Sequence, residues 1–150
     1  MLSGIMFLTL TLQAFKMNNM KIAIIGAGNM GGAIAAGLAK GKIVKSGNII
    51  CTARTQKTLD KIKAIDPEIA VTTDNIMAVK EADVVILAVK PWLMENIISG
   101  FREYAAPSGK IFVSVAAGIT LDQLCTWISP ACPSEVCSFR AIPNTAASVL

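Results

Sequence analysis

The sequence predicts a single doubly wound α/β domain, in which helices cover both faces of a parallel sheet. Short apolar runs alternate with segments whose apolar residues recur at helical spacing, which is the pattern of successive right-handed βαβ units. The composition is 53% hydrophobic and only 16% charged, as expected for strands that are buried on both sides. The 150 residues provide enough chain for one such domain.

Six strands and five helices are predicted in alternation from residue 21 onward. The strands are expected at residues 21–25, 48–53, 70–72, 84–89, 111–115 and 136–141. The helices are expected at residues 29–40, 55–65, 76–81, 94–104 and 121–128. By analogy with other doubly wound sheets, the strand order is 3-2-1-4-5-6, which puts a ligand crevice at the carboxyl ends of the first and fourth strands.

Charge and cysteine usage argue against several classes of function. The net charge of +4 is spread along the chain without a run of like charges, so no nucleic-acid partner is expected. The sequence has no histidine, and Cys51, Cys125, Cys132 and Cys137 form no C-x-x-C pair, so no metal site is expected. Reduced thiols in a cytoplasmic protein are the simplest interpretation.

The first nineteen residues form an apolar extension that we do not expect to belong to the fold. Residues 5–15 are apolar but shorter than the roughly 18 residues that a membrane span needs, and no basic residue precedes them as in a signal peptide. Met17 and Met20 stand just before the first strand. The sequence therefore predicts a domain of residues 20–150, no membrane association, and an extension that lies upstream of the natural start.

A glycine-rich turn joins the first strand to the first helix. It consists of Gly26, Ala27, Gly28, Asn29, Met30 and Gly31. In this strand–turn–helix context, the first glycine permits the tight turn, the second lets the main chain approach a pyrophosphate, and the third lets the helix lie close to the strand. The helix N-terminus then offers N–H groups to phosphates. The motif predicts a Rossmann-type dinucleotide site.

The end of the second strand indicates which dinucleotide binds. An NAD site would hold an Asp or Glu there against the ribose 2′-hydroxyl. Here Arg54 and Thr55 follow the strand, and a guanidinium and a hydroxyl can bind a 2′-phosphate through charge-assisted hydrogen bonds. NADP is therefore the predicted cofactor. The alternative is that Arg54 is an ordinary solvated residue of the loop and binds no phosphate.

Two further loops are predicted to border the crevice. Pro91 restricts Lys90 to an extended conformation at the end of the fourth strand, and Lys90 either approaches a phosphate or carboxylate or is simply an exposed lysine. After the fifth strand, residues 114–118 (SVAAG) are small where a nicotinamide ring must lie against the backbone.

Taken together, these motifs resemble pyrroline-5-carboxylate reductase over residues 20–150. The most specific segments are residues 88–91 (AVKP), 115–118 (VAAG) and 140–145 (RAIPNT). The resemblance implies reduction of 1-pyrroline-5-carboxylate to L-proline by NADPH, with no side chain assigned as catalytic acid or base. It further implies cofactor contacts from the glycine turn, from Arg54 and Thr55 at the 2′-phosphate, from Asn75 near the adenosine, and from Ala88, Val89, Lys90, Pro91, Ala116, Ala117 and Asn144 around the nicotinamide riboside.

One departure from the family leaves the function open. Members continue into a helical C-terminal domain that forms a homo-oligomer and contributes to the substrate site, whereas this sequence stops at Leu150. The chain is then either the cofactor-binding part of such a reductase or an NADP-binding module without turnover. A related NADP oxidoreductase, of the F420-dependent or β-hydroxyacid dehydrogenase type, is the third alternative. Without that domain, apolar residues 141–150 are expected to form an exposed apolar patch that promotes association.

Overall fold

A computed structural model describes residues 19–41, 44–105 and 109–142. It contains six strands: β1 (Ile22–Ile25), β2 (Ile49–Thr52), β3 (Ala70–Thr72), β4 (Val84–Leu87), β5 (Ile111–Ser114) and β6 (Cys137–Arg140). The helices are α1 (Asn29–Lys40), α2 (Gln56–Ile65), α3 (Asn75–Glu81), α4 (Met94–Ala105) and α5 (Leu121–Ile128). Short 3-10 turns precede β2, α4 and β6.

The strands form one parallel sheet in the order β3-β2-β1-β4-β5-β6, which confirms the predicted fold class and strand order. The order reverses between β1 and β4, because the chain runs outward from β1 to β3 and then crosses back. Loops that leave the carboxyl ends of these two central strands therefore diverge and leave a crevice between them.

The sheet separates two apolar clusters. On one face, α1 and α2 pack on alternate residues of the sheet, including Ile22, Ile24 and Cys51. On the other face, α3, α4 and α5 pack on the residues in between, including Ile25, Val85 and Phe112. We call these the α1/α2 face and the α3–α5 face. All four residues of β1 are buried, as a central strand covered on both sides requires.

Most strands end one or two residues before their predicted boundary. Ala88, Val115 and Ala141 each donate one more main-chain hydrogen bond to the neighbouring strand, at 2.9 Å, 3.1 Å and 2.9 Å, before the chain turns away. The predicted apolar runs thus continue past the paired residues into the loops that border the crevice. Ala141 and Ile142 follow β6, and Ile142 is 77% exposed, while residues 143–150 lie outside the described part of the chain.

Two helix ends depart from the usual capping patterns. Thr55 stands at the N-cap of α2, but its hydroxyl makes no capping hydrogen bond and pairs with the Thr58 hydroxyl instead. Gly41 is the C-cap of α1, with an extended φ of −71° rather than a left-handed one. Among the described helices, none has the length and apolar character to cross a membrane.

Candidate dinucleotide site

A cavity of about 690 Å³ opens at the carboxyl ends of β1, β2, β4 and β5. This volume lies in the range of small-molecule and cofactor sites. Of the residues predicted to bind the cofactor, fourteen line it: Gly26, Ala27, Gly28, Asn29, Met30, Arg54, Thr55, Asn75, Ala88, Val89, Lys90, Pro91, Ala116 and Ala117. Loops from both halves of the sheet therefore meet where the sequence motifs predicted a crevice.

The glycine turn is wedged between neighbouring strands. Gly26 has a φ of +92°, which a residue with a side chain rarely adopts, and a Cβ there would lie 3.1 Å from the Ala88 carbonyl oxygen. The carbonyl oxygen of Thr52 accepts the N–H groups of Gly26 (3.2 Å) and Ala27 (2.7 Å). The turn is thus hydrogen-bonded to the end of β2 and packs closely against the end of β4.

The other two glycines of the motif serve different purposes. Gly31 does not line the cavity: it is buried in α1, and a side chain there would overlap the Gly26 carbonyl oxygen. By contrast, a Cβ on Gly28 would meet no atom within 4 Å. The protein itself therefore leaves no room for a side chain at position 31, whereas the space beside position 28 is open.

A cation and two hydroxyls stand together beside α2. Arg54, Thr55 and Thr58 all line the cavity, and the Thr55 and Thr58 hydroxyl oxygens are 2.9 Å apart. Thr58 was missing from the prediction, although its spacing of three residues from Thr55 in a helical first turn puts both hydroxyls on one side. This end of the cavity has the donors that an anionic group needs.

The opposite wall comes from the loops after β4 and β5. Lys90 has φ −62° and ψ 141°, which is the extended conformation expected before Pro91. Ala116 and Ala117 contribute small side chains, and the turn closes at Gly118 with a φ of +79°. At the two alanines the wall consists of backbone and methyl groups.

Asn75 and Asn144 complete the predicted set. Asn75 is the first residue of α3, and the carboxylate of Asp74 caps that helix by accepting the N–H groups of Ile76 (2.8 Å) and Met77 (3.2 Å). Asn75 is therefore held at the cavity by a capped helix start. Asn144 lies outside the described residues, so its predicted contact stays a prediction.

Several lining residues were not predicted from the sequence. The additional polar ones are Thr52, Thr58 and Thr73, and the additional apolar ones are Ile25, Ala53, Leu93, Ile97 and Val115. Leu93 and Ile97 come from the 3-10 turn and the first turn of α4. Their spacing of four residues was visible in the sequence, but it indicates a buried helix face as readily as a cavity wall.

Residues 21–118, from β1 to the turn after β5, match the family described as NADP oxidoreductase, coenzyme F420-dependent. This stretch contains the glycine turn, the cation at the end of β2 and both opposite loops. The chain belongs to this family. Membership in this NADP oxidoreductase family agrees with a cavity that has a glycine-rich turn at one side and Arg54 at another.

Longer alignments relate this NADP oxidoreductase family member to pyrroline-5-carboxylate reductases. The chain is 36% identical over 133 residues to the one from Methanosarcina acetivorans and 34% identical over 131 residues to the one from Arabidopsis thaliana. These alignments cover 89% and 86% of the chain, and 47% and 44% of those proteins. The resemblance inferred from the sequence motifs is thereby confirmed.

Solved structures give the same relation. The pyrroline-5-carboxylate reductase of Coxiella burnetii superposes with a TM-score of 0.79 at 31% identity, over 88% of this chain and 47% of that one. The Plasmodium falciparum pyrroline carboxylate reductase, solved with NADP bound, has a TM-score of 0.73 at 25% identity, over 89% and 45%. The chain thus spans about half the length of the relatives that it matches.

Proposed function

We propose that the chain is the cofactor-binding part of an NADPH-dependent reductase that converts 1-pyrroline-5-carboxylate to L-proline in proline biosynthesis. The observation that carries the proposal is the convergence of the glycine turn, Arg54 and the small-residue loop after β5 on one cavity at the sheet's reversal point. The similarity to pyrroline-5-carboxylate reductases supports this reaction over that of the F420-dependent alternative.

The cavity fits a dinucleotide with a 2′-phosphate. In this proposal, Gly26, Ala27, Gly28, Asn29 and Met30 bind the pyrophosphate, and Gly31 keeps the helix close beneath them. Arg54 and Thr55 bind the 2′-phosphate, and Asn75 borders the adenosine. The nicotinamide riboside lies against Ala88, Val89, Lys90, Pro91, Ala116, Ala117 and Asn144.

The reaction asks little acid–base chemistry of the side chains. Bound NADPH supplies the hydride that reduces the C=N bond of an imine already protonated on nitrogen. The chain's own contribution is to bind and orient. Arg54 and the glycine turn fix one end of the cofactor, while Ala116 and Ala117 leave a flat wall for its ring. We assign no catalytic acid or base in this chain.

The proposal includes the domain division and the compartment. Residues 20–150 would form the NADP-binding domain, and residues 1–19 would remain an extension outside it. All four cysteines are free thiols, and Cys51 is fully buried as a thiol, which suits a reducing cytoplasm.

The first test is calorimetry of NADPH and NADH binding to the purified chain, followed by addition of 1-pyrroline-5-carboxylate while the absorbance of the reduced cofactor is followed. We expect NADPH to bind more tightly than NADH. Turnover would extend the proposal to a complete site in these residues, and binding without turnover would favour the NADP-binding module. Equal affinity for both cofactors, or no binding, would refute the NADPH assignment.

Gly28, the N-cap of α1, and Gly37, within α1, give a test position and a control position for the pyrophosphate contact. Gly28→Val should weaken NADPH and NADH by a similar factor, because an added side chain enters the space that the pyrophosphate is proposed to occupy. Gly37→Val is the control, since its Cβ also meets no atom within 4 Å and Gly37 does not line the cavity. Unchanged affinity in Gly28→Val would contradict the pyrophosphate assignment.

A further inference from the structure

We propose that two buried hydroxyls, those of Thr52 and Ser114, are positioning residues that hold the two opposite walls of the cavity in their binding geometry. Thr52 would hold the glycine turn, and Ser114 would hold the loop of Ala116 and Ala117. The inference rests on the proposed NADPH function, since it assigns the walls to opposite ends of that cofactor.

Thr52 and Ser114 are the buried polar residues within the described ranges, 2% and 1% exposed. Both end a strand, and they stand in the same register: Thr52 pairs with Ile25, Ile25 with Leu87, and Leu87 with Ser114. Side chains in one cross-sheet row point to the same face, here the α3–α5 face. Their neighbours in this row, Ile25 and Leu87, are apolar and fully buried, so the two hydroxyls need an explanation.

Each hydroxyl accepts a hydrogen bond from a main-chain N–H of a cavity wall. The N–H of Gly26 donates to Thr52 Oγ1 at 3.3 Å, in addition to its bond with the Thr52 carbonyl oxygen. The N–H of Ala116 donates to Ser114 Oγ at 3.4 Å, and no other acceptor for it is found among the described residues. Gly26 and Ala116 both line the cavity.

The two hydrogen bonds differ in what remains when the hydroxyl is removed. Without its hydroxyl, Thr52 would still hold Gly26 through its carbonyl oxygen, whereas Ala116 would lose its acceptor in a buried place. Ser114 should therefore affect its wall more strongly than Thr52 affects the glycine turn. Neither residue is a catalytic residue, because each acts through a loop.

The test compares two ligands, NADPH and 2′-phospho-ADP-ribose, which lacks the nicotinamide. Thr52→Val should lower the affinity for both ligands by a similar factor of about three, because both contain the pyrophosphate. Ser114→Ala should lower the affinity for NADPH about three- to tenfold and leave the affinity for 2′-phospho-ADP-ribose unchanged. Thr52→Ser keeps the hydroxyl and should restore the wild-type affinities.

Amide hydrogen exchange of the ligand-free chain gives a readout that does not depend on the cofactor. Ser114→Ala should speed exchange at the Ala116 amide and leave the Gly26 amide unchanged. The role of Ser114 would be overturned if Ser114→Ala left the exchange rate of the Ala116 amide unchanged. It would also be overturned if this variant lost affinity for both ligands equally. Wild-type affinities in Thr52→Val would overturn that of Thr52. If the wild-type chain binds neither ligand, the proposed function itself fails, whatever the exchange rates show.

Discussion

The two halves of the sheet differ in how they are covered. One cross-sheet row on the α1/α2 face contains Cys51, Ile24, Ile86, Val113 and Phe139, in register from β2 to β6. Cys51 and Ile24 are 0% exposed, Ile86 is 9% exposed, and Phe139 is 55% exposed. The same face is therefore buried over β1 and β2 and becomes exposed toward β6.

The reason lies in the connections. Helices α1 and α2 join β1 to β2 and β2 to β3, so they cover that half of the α1/α2 face. The connections from β3 onward run through α3, α4 and α5 on the opposite face. A parallel sheet can thus be covered on both faces in one half and on one face toward its edge in the other half.

The largest expected effect tests this contrast in burial. Ile24→Ala should lower the free energy of unfolding by about 2–5 kcal/mol, because it leaves a cavity in a fully buried row. Phe139→Ala, in the same row, should change it by less than about 1 kcal/mol, because the ring is already largely in water. Urea unfolding of both variants measures the two values.

A reversed result would be informative about β6. If Phe139→Ala destabilises the chain as much as Ile24→Ala does, then the exposed half of the face is covered in solution and the contrast between the halves does not hold. Comparing the unfolding midpoint at several protein concentrations would then tell whether association provides the cover.

Most of the architecture could be predicted because periodicity and turn chemistry are local. The bounds Ala70–Thr72, Asn29–Lys40 and Leu121–Ile128 match the structure as predicted. Contacts that depend on two distant segments could not be predicted. The bond from Gly26 to Thr52 joins residues that are 26 apart, and only the pairing of β1 with β2 brings them together.

The second prediction separates the cations of the two halves. Arg54 follows β2 and Lys90 follows β4, and both line the cavity. Arg54→Ala should reduce the preference for NADPH over NADH by about 1.5–3 kcal/mol, or roughly tenfold or more, through loss of a charge-assisted contact. Lys90→Ala should weaken both cofactors without changing their ratio. Calorimetric titration of both variants with both cofactors measures these affinities. An unchanged ratio of NADPH to NADH affinity in Arg54→Ala would contradict the assignment of Arg54 to the 2′-phosphate.

The third prediction uses cysteines as probes of the same contrast. Cys51 lies in β2 and is 0% exposed, and burial raises its pKa to about 12, whereas Cys137 at the start of β6 is exposed. A thiol reagent at mildly alkaline pH should label Cys137 in the folded chain and Cys51 only after unfolding, because reaction requires an accessible thiolate. Mass spectrometry of labelled peptides identifies the site.

The raised pKa of Cys51 also predicts how stability depends on pH. In the unfolded chain, Cys51 ionises near its ordinary pKa of 9.0, while in the folded chain it stays protonated up to about 12. Stability is therefore fully present below pH 9 and falls as pH rises above it, by at most about 1.4 kcal/mol per pH unit. Cys51→Ala should show a shallower decline in urea unfolding between pH 8 and 11. Equal declines in both chains would mean that Cys51 ionises as easily in the folded state, and β2 would then be no better protected than β6.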